Sequence, residues 1–223
     1  MKGRISEVFD SVQGEGLYVG ERQIFVRFFG CNLRCKFCDT KLDAFKEYEP
    51  RELLRELKLY EDDYHSVSFT GGEPLLQKDF LKETLKLTRE DGFRNYLETN
   101  GTLPDELGEV IDYLDIVAMD MKLPSSTGEF PCWRMHKKFL ETASRKEVFV
   151  KIVICKSTHI EDIINAFDLI EGINPAVTVV LQPDSNETSF ALDSKIESYK
   201  MLCENHFLSG CTIPQMHKFI GVK

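Results

Sequence analysis

The sequence predicts an α/β fold: an incomplete barrel of six parallel strands, each followed by a helix, with a site at the carboxyl ends of the strands. Apolar, β-rich runs alternate along the chain with segments of helical periodicity. Each run gives way to a polar loop. At 223 residues, 42% of them hydrophobic, the chain can bury a substantial core and reaches the size of a single α/β barrel.

The strand candidates are QIFVRFF (23–29), HSVSFT (65–70), FRNYLET (93–99), DIVAMD (115–120), EVFVKIVI (147–154) and AVTVVLQ (176–182). Between them, LLQKDFLKETLKLTRE (75–90), the segment 136–146 and EDIINAFDLIEG (161–172) place leucine, isoleucine and phenylalanine at helical spacings. Strand-helix alternation implies a parallel sheet, and right-handed crossovers let six such units curl into part of a barrel. With no low-complexity tract, linker or internal repeat, residues 1–223 are expected to form one domain.

A net charge of -9 argues against a broad contact with nucleic acid, although local basic pockets for small anions remain open. No run approaches a membrane span, and the polar start MKGRISEVFDSVQ has no signal-peptide core, so a cytoplasmic location is the expectation. Seven cysteines in that setting read as reduced thiols, their odd number and unpaired spacing arguing against a disulfide framework.

Three of them, Cys31, Cys35 and Cys38, stand together in GCNLRCKFCDT directly after the first strand candidate. A structural zinc site takes four protein ligands. Three ligands suggest a position left open, unless His65 or Cys132 completes a zinc site from a distance or the group consists of buried thiols. Cys132, Cys155, Cys203 and Cys211 are too scattered for a second cluster and read as buried thiols. His159 and His206 read as helical and structural.

Further polar loops follow the other strands: Thr70, Gly71, Gly72, Glu73 and Pro74 after the second, LETNGT (97–102) at the third, MDMKLPSS (119–126) at the fourth and LQPDSN (181–186) at the sixth. Glycines at 71 and 72 permit close approach to the backbone, and Glu73 can accept from an ammonium group. In QIFVRFF, Ile24, Val26 and Phe28 share one face, which puts Arg27 on the other with Phe25 and Phe29. A guanidinium among phenylalanines needs an anion, from a ligand or from a structural carboxylate. Gln13, Gly14 and Glu15 form either a plain tight loop or a surface suited to a ligand with both donors and acceptors. The hydroxyl of Thr40 can cap the turn after Asp39.

Cys31-x3-Cys35-x2-Cys38, with Phe37 before the last cysteine and GGEP after the next strand, resembles the radical S-adenosylmethionine superfamily. The resemblance implies one 4Fe-4S cluster on the three thiolates, with S-adenosylmethionine chelating the fourth iron. The flanks FDSVQGEGLYVG, Arg27, CDT, ETNGT and the terminal HKFIGVK are similar to the 7-carboxy-7-deazaguanine synthase family within that superfamily. Its members rearrange 6-carboxytetrahydropterin to 7-carboxy-7-deazaguanine with loss of ammonia, by way of a 5'-deoxyadenosyl radical and Mg2+, on the route to queuosine.

By that resemblance Thr40 is the protein ligand to Mg2+, and Val12, Gln13, Gly14, Glu15, Arg27, Thr70, His217 and Lys223 meet the substrate. Phe37, Cys38, Asp39, Gly72, Glu73, Asp120, Met121, Lys122, Gln182, Pro183, Asp184 and Ser185 meet S-adenosylmethionine. Relatives often carry Ser-Pro-Lys where this chain has Asp120, Met121 and Lys122, so only the lysine matches. The family also implies a small-molecule pterin substrate, a homodimer and an electron donor such as flavodoxin or ferredoxin. Two other classes remain: a glycyl-radical-enzyme activase, which shares the cysteine spacing but has no need of QGEG, Arg27 and HKFIGVK together, and a non-catalytic iron-sulfur or zinc module.

Overall fold

The computed structural model describes every residue except Lys41, Glu61, Asp62, Thr188, His217, Phe219, Ile220, Val222 and Lys223. Among the described residues nine strands form one sheet: β1 (Gly3–Val12), β2 (Arg22–Phe28), β3 (Lys46–Tyr48), β4 (Ser66–Gly71), β5 (Asn95–Thr99), β6 (Ile116–Asp120), β7 (Glu147–Ile154), β8 (Thr178–Pro183) and β9 (Ser209–Thr212). Their order is β3-β1-β2-β4-β5-β6-β7-β8-β9. From β2 through β9 every neighbour is parallel, whereas β1 and β3 run antiparallel at one edge. The six strands expected from sequence are all present, and β1, β3 and β9 correct that count.

The three additions share a cause. Buried parallel strands show continuous apolar runs, but a strand at or next to the edge of the sheet needs only one covered face and shows no such run. In β1 the glycine and isoleucine at positions 3 and 5 are buried and most of the rest is half-exposed. β3 has three residues, and β9 is Ser-Gly-Cys-Thr.

The helices are α1 (Pro50–Leu57), α2 (Lys78–Glu90), α3 (Pro104–Val110), α4 (Pro124–Thr127), α5 (Trp133–Ala143), α6 (Ile160–Ile173) and α7 (Phe190–Asn205). Helix α1 starts on a reciprocal box in which the Glu49 and Glu52 side chains accept from each other's backbone amides, with Pro50 at the first helical position. Each long helix buries a stripe spaced three and four residues apart: Phe80, Leu81, Thr84, Leu85 and Thr88 in α2, Ile163, Ala166, Phe167 and Ile170 in α6, and Leu192, Ile196, Tyr199 and Cys203 in α7. The helix expected at 136–146 begins three residues earlier, at Trp133. His159 and His206 flank α6 and α7 as their end caps.

Strand alternation gives the sheet two different faces. Ile24, Val26, Phe28, Val67, Phe69, Leu97, Val117, Val150, Ile152, Val179 and Leu181 point outward into the main core with the helices. The inner face holds a small second cluster of Tyr96, Ile116, Phe149 and Val180, against which Tyr18 packs. Above that layer the inner positions are polar: Ser68, Thr70, Glu98, Asp120, Lys151 and Gln182. Glu15, just past β1, reaches Lys151 on β7, although four strands separate β1 from β7 in the sheet order. Five strand spacings span about 24 Å on a flat sheet, so this contact requires a curled one. The polar loops therefore face a common hollow.

This division into a packed outer layer and a polar hollow sets different costs for truncation. Phe167→Ala, in the outer core and with no exposed surface, is expected to lose about 3–5 kcal/mol in urea unfolding. Phe190→Ala, at a side chain 87% exposed, should change stability by less than about 0.5 kcal/mol. Similar losses at the two positions would contradict the assignment of the core.

Candidate active site

The hollow opens as a cavity of about 640 Å³ at the carboxyl ends of the strands. Cys31, Cys35, Phe37, Cys38, Asp39 and Thr40 from the cysteine loop line it together with Val12, Gln13, Gly14, Glu15, Arg27, Thr70, Gly72, Asp120, Lys122, Gln182 and Asp184. Four expected residues are not in the lining. Met121 is fully buried in the outer core, Glu73 is fully buried, Pro183 ends β8, and Ser185 lies at the rim, donating to Gln215 Oε1 over 2.5 Å. His217 and Lys223 lie outside the described residues.

Glycines bring the loops this close. Glu73 N donates to Gly30 O over 2.9 Å, and a Cβ on Gly72 would stand 1.9 Å from that same oxygen. Glu73 works inward: its carboxylate accepts from Leu75 N, Thr99 Oγ1 and Asn100 N at 2.8–3.1 Å. Burial pushes this carboxyl up to about 7, against those hydrogen bonds. The amide of Asn100 then reaches Asn32 Oδ1 at 2.9 Å and Cys31 Sγ at 3.9 Å. Glu73 thus anchors the wall behind the cysteines, where the sequence suggested a cavity contact for it. On the far side, Lys36 N donates to Thr127 O and Arg34 N to Glu129 Oε1.

All seven cysteines are free thiols. Cys155 and Cys203 are buried as expected, whereas Cys132 and Cys211 are only partly covered. Among the described residues, the groups drawn in tightly enough for a single metal ion are Cys155 with Asp184 and Glu187, and Asp168 with Glu171 and His206. Cys31, Cys35 and Cys38 instead share the wall of the cavity. Three soft thiolate donors on one loop fit an iron-sulfur cluster that keeps one iron open. Burial pushes the Cys35 thiol up to about 11, with Lys122 opposing it. Two buried oxygens on the cavity wall, Asp120 Oδ1 and Gln182 Oε1, have no hydrogen-bond partner among the described residues, as expected of groups left to meet a polar ligand.

The floor is a polar network. Gln13 Nε2 donates to Gln23 Oε1 and Glu98 Oε1 at 2.9 and 2.8 Å, and Thr70 Oγ1 donates to Glu98 Oε2 at 2.7 Å. Arg27 lies on the inner face with Phe25, as the alternation requires. Its guanidinium sits 5.3 Å from the Phe9 ring centroid and 3.6 Å from Glu7 Oε2, so a structural carboxylate is at hand. Glu15 is met by Lys151 and by Gln215 Nε2, the latter at 2.6 Å. Burial alone would raise the Glu15 carboxyl, but the lysine beside it holds it down at about 2. Gln215 also reaches Asp39, and Lys218 reaches both Asp39 and Ser185, so the last described turn lies over the mouth.

Lys151, Glu98, Asn100 and Gln215 were not picked out from sequence. The signal for Lys151 was the one that exposed Arg27, a lone cation in an otherwise apolar strand, EVFVKIVI. Glu98 in NYLET is the acidic counterpart.

A family model for the radical SAM superfamily matches residues 25–176. The chain is 37% identical to a 7-carboxy-7-deazaguanine synthase of Geobacter sulfurreducens, covering 97% of this chain and 96% of the relative. It is 31% identical to a 7-carboxy-7-deazaguanine synthase of Methanocaldococcus jannaschii, with 98% and 99% covered. A crystal structure of QueE from Escherichia coli shares the fold at a TM-score of 0.67 and 22% identity, covering 95% of this chain and 94% of that one.

The wall behind the cysteines is sensitive to one atom. Gly72→Ala would drive a methyl into the Gly30 carbonyl, and after anaerobic reconstitution it should hold less than about a third of the wild-type iron with an unchanged circular dichroism spectrum. Gly108→Ala, where a Cβ meets nothing within 4 Å, should bind iron normally. Full iron loading in Gly72→Ala would contradict the account.

Proposed function

The chain belongs to the radical S-adenosylmethionine superfamily and, within it, to the 7-carboxy-7-deazaguanine synthase family, and on that premise we propose that it converts 6-carboxy-5,6,7,8-tetrahydropterin to 7-carboxy-7-deazaguanine with release of ammonia. The observation that carries this reading is the sharing of one cavity by the three-cysteine loop, Gln13 to Glu15, and Arg27. A non-catalytic iron-sulfur module needs no such floor. A glycyl-radical-enzyme activase is less supported, because the similarity to deazaguanine synthases runs almost the full length of the chain.

When bound, a 4Fe-4S cluster and S-adenosylmethionine supply the electron and the hydrogen-atom abstraction that start the ring contraction. The chain's part is to hold and orient. Cys31, Cys35 and Cys38 hold the cluster and leave one iron to the cofactor. Lys122, Asp120, Gln182 and Asp184 line the cofactor end, together with Phe37, Asp39 and Gly72. At the other end Gln13 and Glu15 offer a donor and acceptors to the amino-pyrimidinone edge of the pterin, with Val12, Gly14 and Thr70 beside them. Arg27 takes the substrate carboxylate in place of Glu7. Thr40, on the cavity wall, would offer its hydroxyl to Mg2+, an ion that tolerates few protein ligands and would polarise the substrate's oxygens. His217 and Lys223 are counted with the substrate contacts, a role supported by Gln215 and Lys218 at the mouth of the cavity.

One continuous sheet supports a single domain over residues 1–223. The exposure of Cys31 and Cys38 supports delivery of the electron by a donor such as flavodoxin or ferredoxin. The functional unit is a homodimer, as in the family. No helix among the described residues is long and apolar enough to cross a membrane.

Protein reconstituted anaerobically and given reductant, S-adenosylmethionine, Mg2+ and 6-carboxytetrahydropterin should form a product with the mass of 7-carboxy-7-deazaguanine, more slowly without Mg2+. Cleavage of S-adenosylmethionine with no deazaguanine formed would sink the assignment.

A further inference from the structure

The buried charges of the cavity stand in a row of alternating sign. Lys122 Nζ lies 2.8 Å from Asp120 Oδ2, the same oxygen lies 3.1 Å from Lys151 Nζ, and Lys151 in turn pairs with Glu15. None of the four side chains is more than 21% exposed. Asp120 and Lys151 are register partners on β6 and β7, so the sheet itself sets them side by side on the inner face. Asp120 spends one oxygen on both lysines and leaves Oδ1 buried without a partner among the described residues. Burial opposes charge on all four groups, and the pairing overcomes it: both carboxyls are held below their ordinary range and both ammonium groups above theirs.

The row joins the two ends of the cavity. Glu15 stands at the end proposed for the pterin, and Lys122 lies 5.0 Å from the ring centroid of Phe37 in the cysteine loop. We infer that Lys151 is a positioning residue that couples the two ends, so that a ligand bound at either one favours binding at the other. The inference rests on the placement of substrate and cofactor given above.

The coupling follows from counting partners. An anionic group arriving at Lys122 draws its ammonium away from Asp120. Asp120 then has Lys151 as its one counter-ion and pulls it from Glu15, which is left to accept from amino donors at its own end. Run in the other direction, donors on Glu15 release Lys151 to Asp120, and Asp120 releases Lys122. Both ends are served when the middle pair stands alone. Linkage requires the effect to be equal in the two directions. With no cation at 151, Glu15 has no counter-ion to give up and Asp120 none to gain, so the ends act independently.

The test is ground-state binding to cluster-loaded, unreduced protein under anaerobic conditions, where no turnover occurs. Equilibrium dialysis of S-adenosylmethionine with and without 6-carboxytetrahydropterin gives the coupling factor, and the reverse titration checks it. About tenfold is expected in the wild type, and the same factor for the pterin. In Lys151→Met the factor should fall to about one, while Lys151→Arg should keep most of it. Loss of a buried cation leaves two carboxylates exposed to each other and can unfold the protein. Asp120→Asn therefore cuts the same row with Lys151 still on Glu15, and its factor should also fall to about one. A folded variant of either kind that keeps the wild-type factor overturns the inference, as does a wild-type factor of one. Failure of the wild type to bind the pterin at all would overturn the proposed function beneath it.

Discussion

The ion pair between Glu15 and Lys151 ties the end of β1, one strand in from the sheet's edge, to the far side of the sheet. It does not drive folding. That work falls to the outer face, where the apolar rows of β2, β4 and β5 to β8 meet the helical stripes. A buried pair contributes little against a well-packed apolar replacement, but each charge is costly without the other. The pair therefore specifies where the end of β1 must lie. Gly16 makes the approach possible: its positive φ of 67° suits the turn, and a Cβ there would strike the Phe149 ring at 2.6 Å. With the Gln13–Glu15 loop fixed on β7, the inner face becomes the floor of a cavity instead of one side of an open sheet.

Around that floor the loops divide the labour. The GGEP turn holds the cysteine loop from behind through Gly30 O and through the path from Glu73 to Asn100 to Cys31. The segment from Thr127 to Glu129 holds it from the side. Two loops thus fix the three thiols, and the inner-face charges remain for ligands. The separation matters chemically, since a cluster with one open iron is useful only if its position relative to the second reactant is fixed. The strands fix it here, with Asp120 and Lys151 locked in register between the two ends.

The sequence disclosed the parts of this design that follow from one periodicity. Strands buried on both faces appear as apolar runs, so β2 and β4 to β8 were legible, and alternation in QIFVRFF placed Arg27 on the inner face. β1 was not legible, because a half-exposed strand such as GRISEVFDSV mixes polar and apolar residues. Lys151 was legible by the argument used for Arg27, although its partners were not: nothing in the chain order sets Glu15 beside a residue 136 positions away. Glu73 shows the opposite limit. Its neighbours mark a ligand-binding turn, but only the packing of Gly72 on Gly30 decides that its carboxylate points inward to Thr99 and Asn100.

The most direct test of the central claim is a double-mutant cycle on Glu15→Gln and Lys151→Met, read by urea unfolding. A pair that fixes the β1 end on β7 predicts that the double variant loses less stability than the two single losses added together, by about 2 kcal/mol. Additivity to within about 0.5 kcal/mol would mean that the two side chains do not hold each other, and would contradict the account.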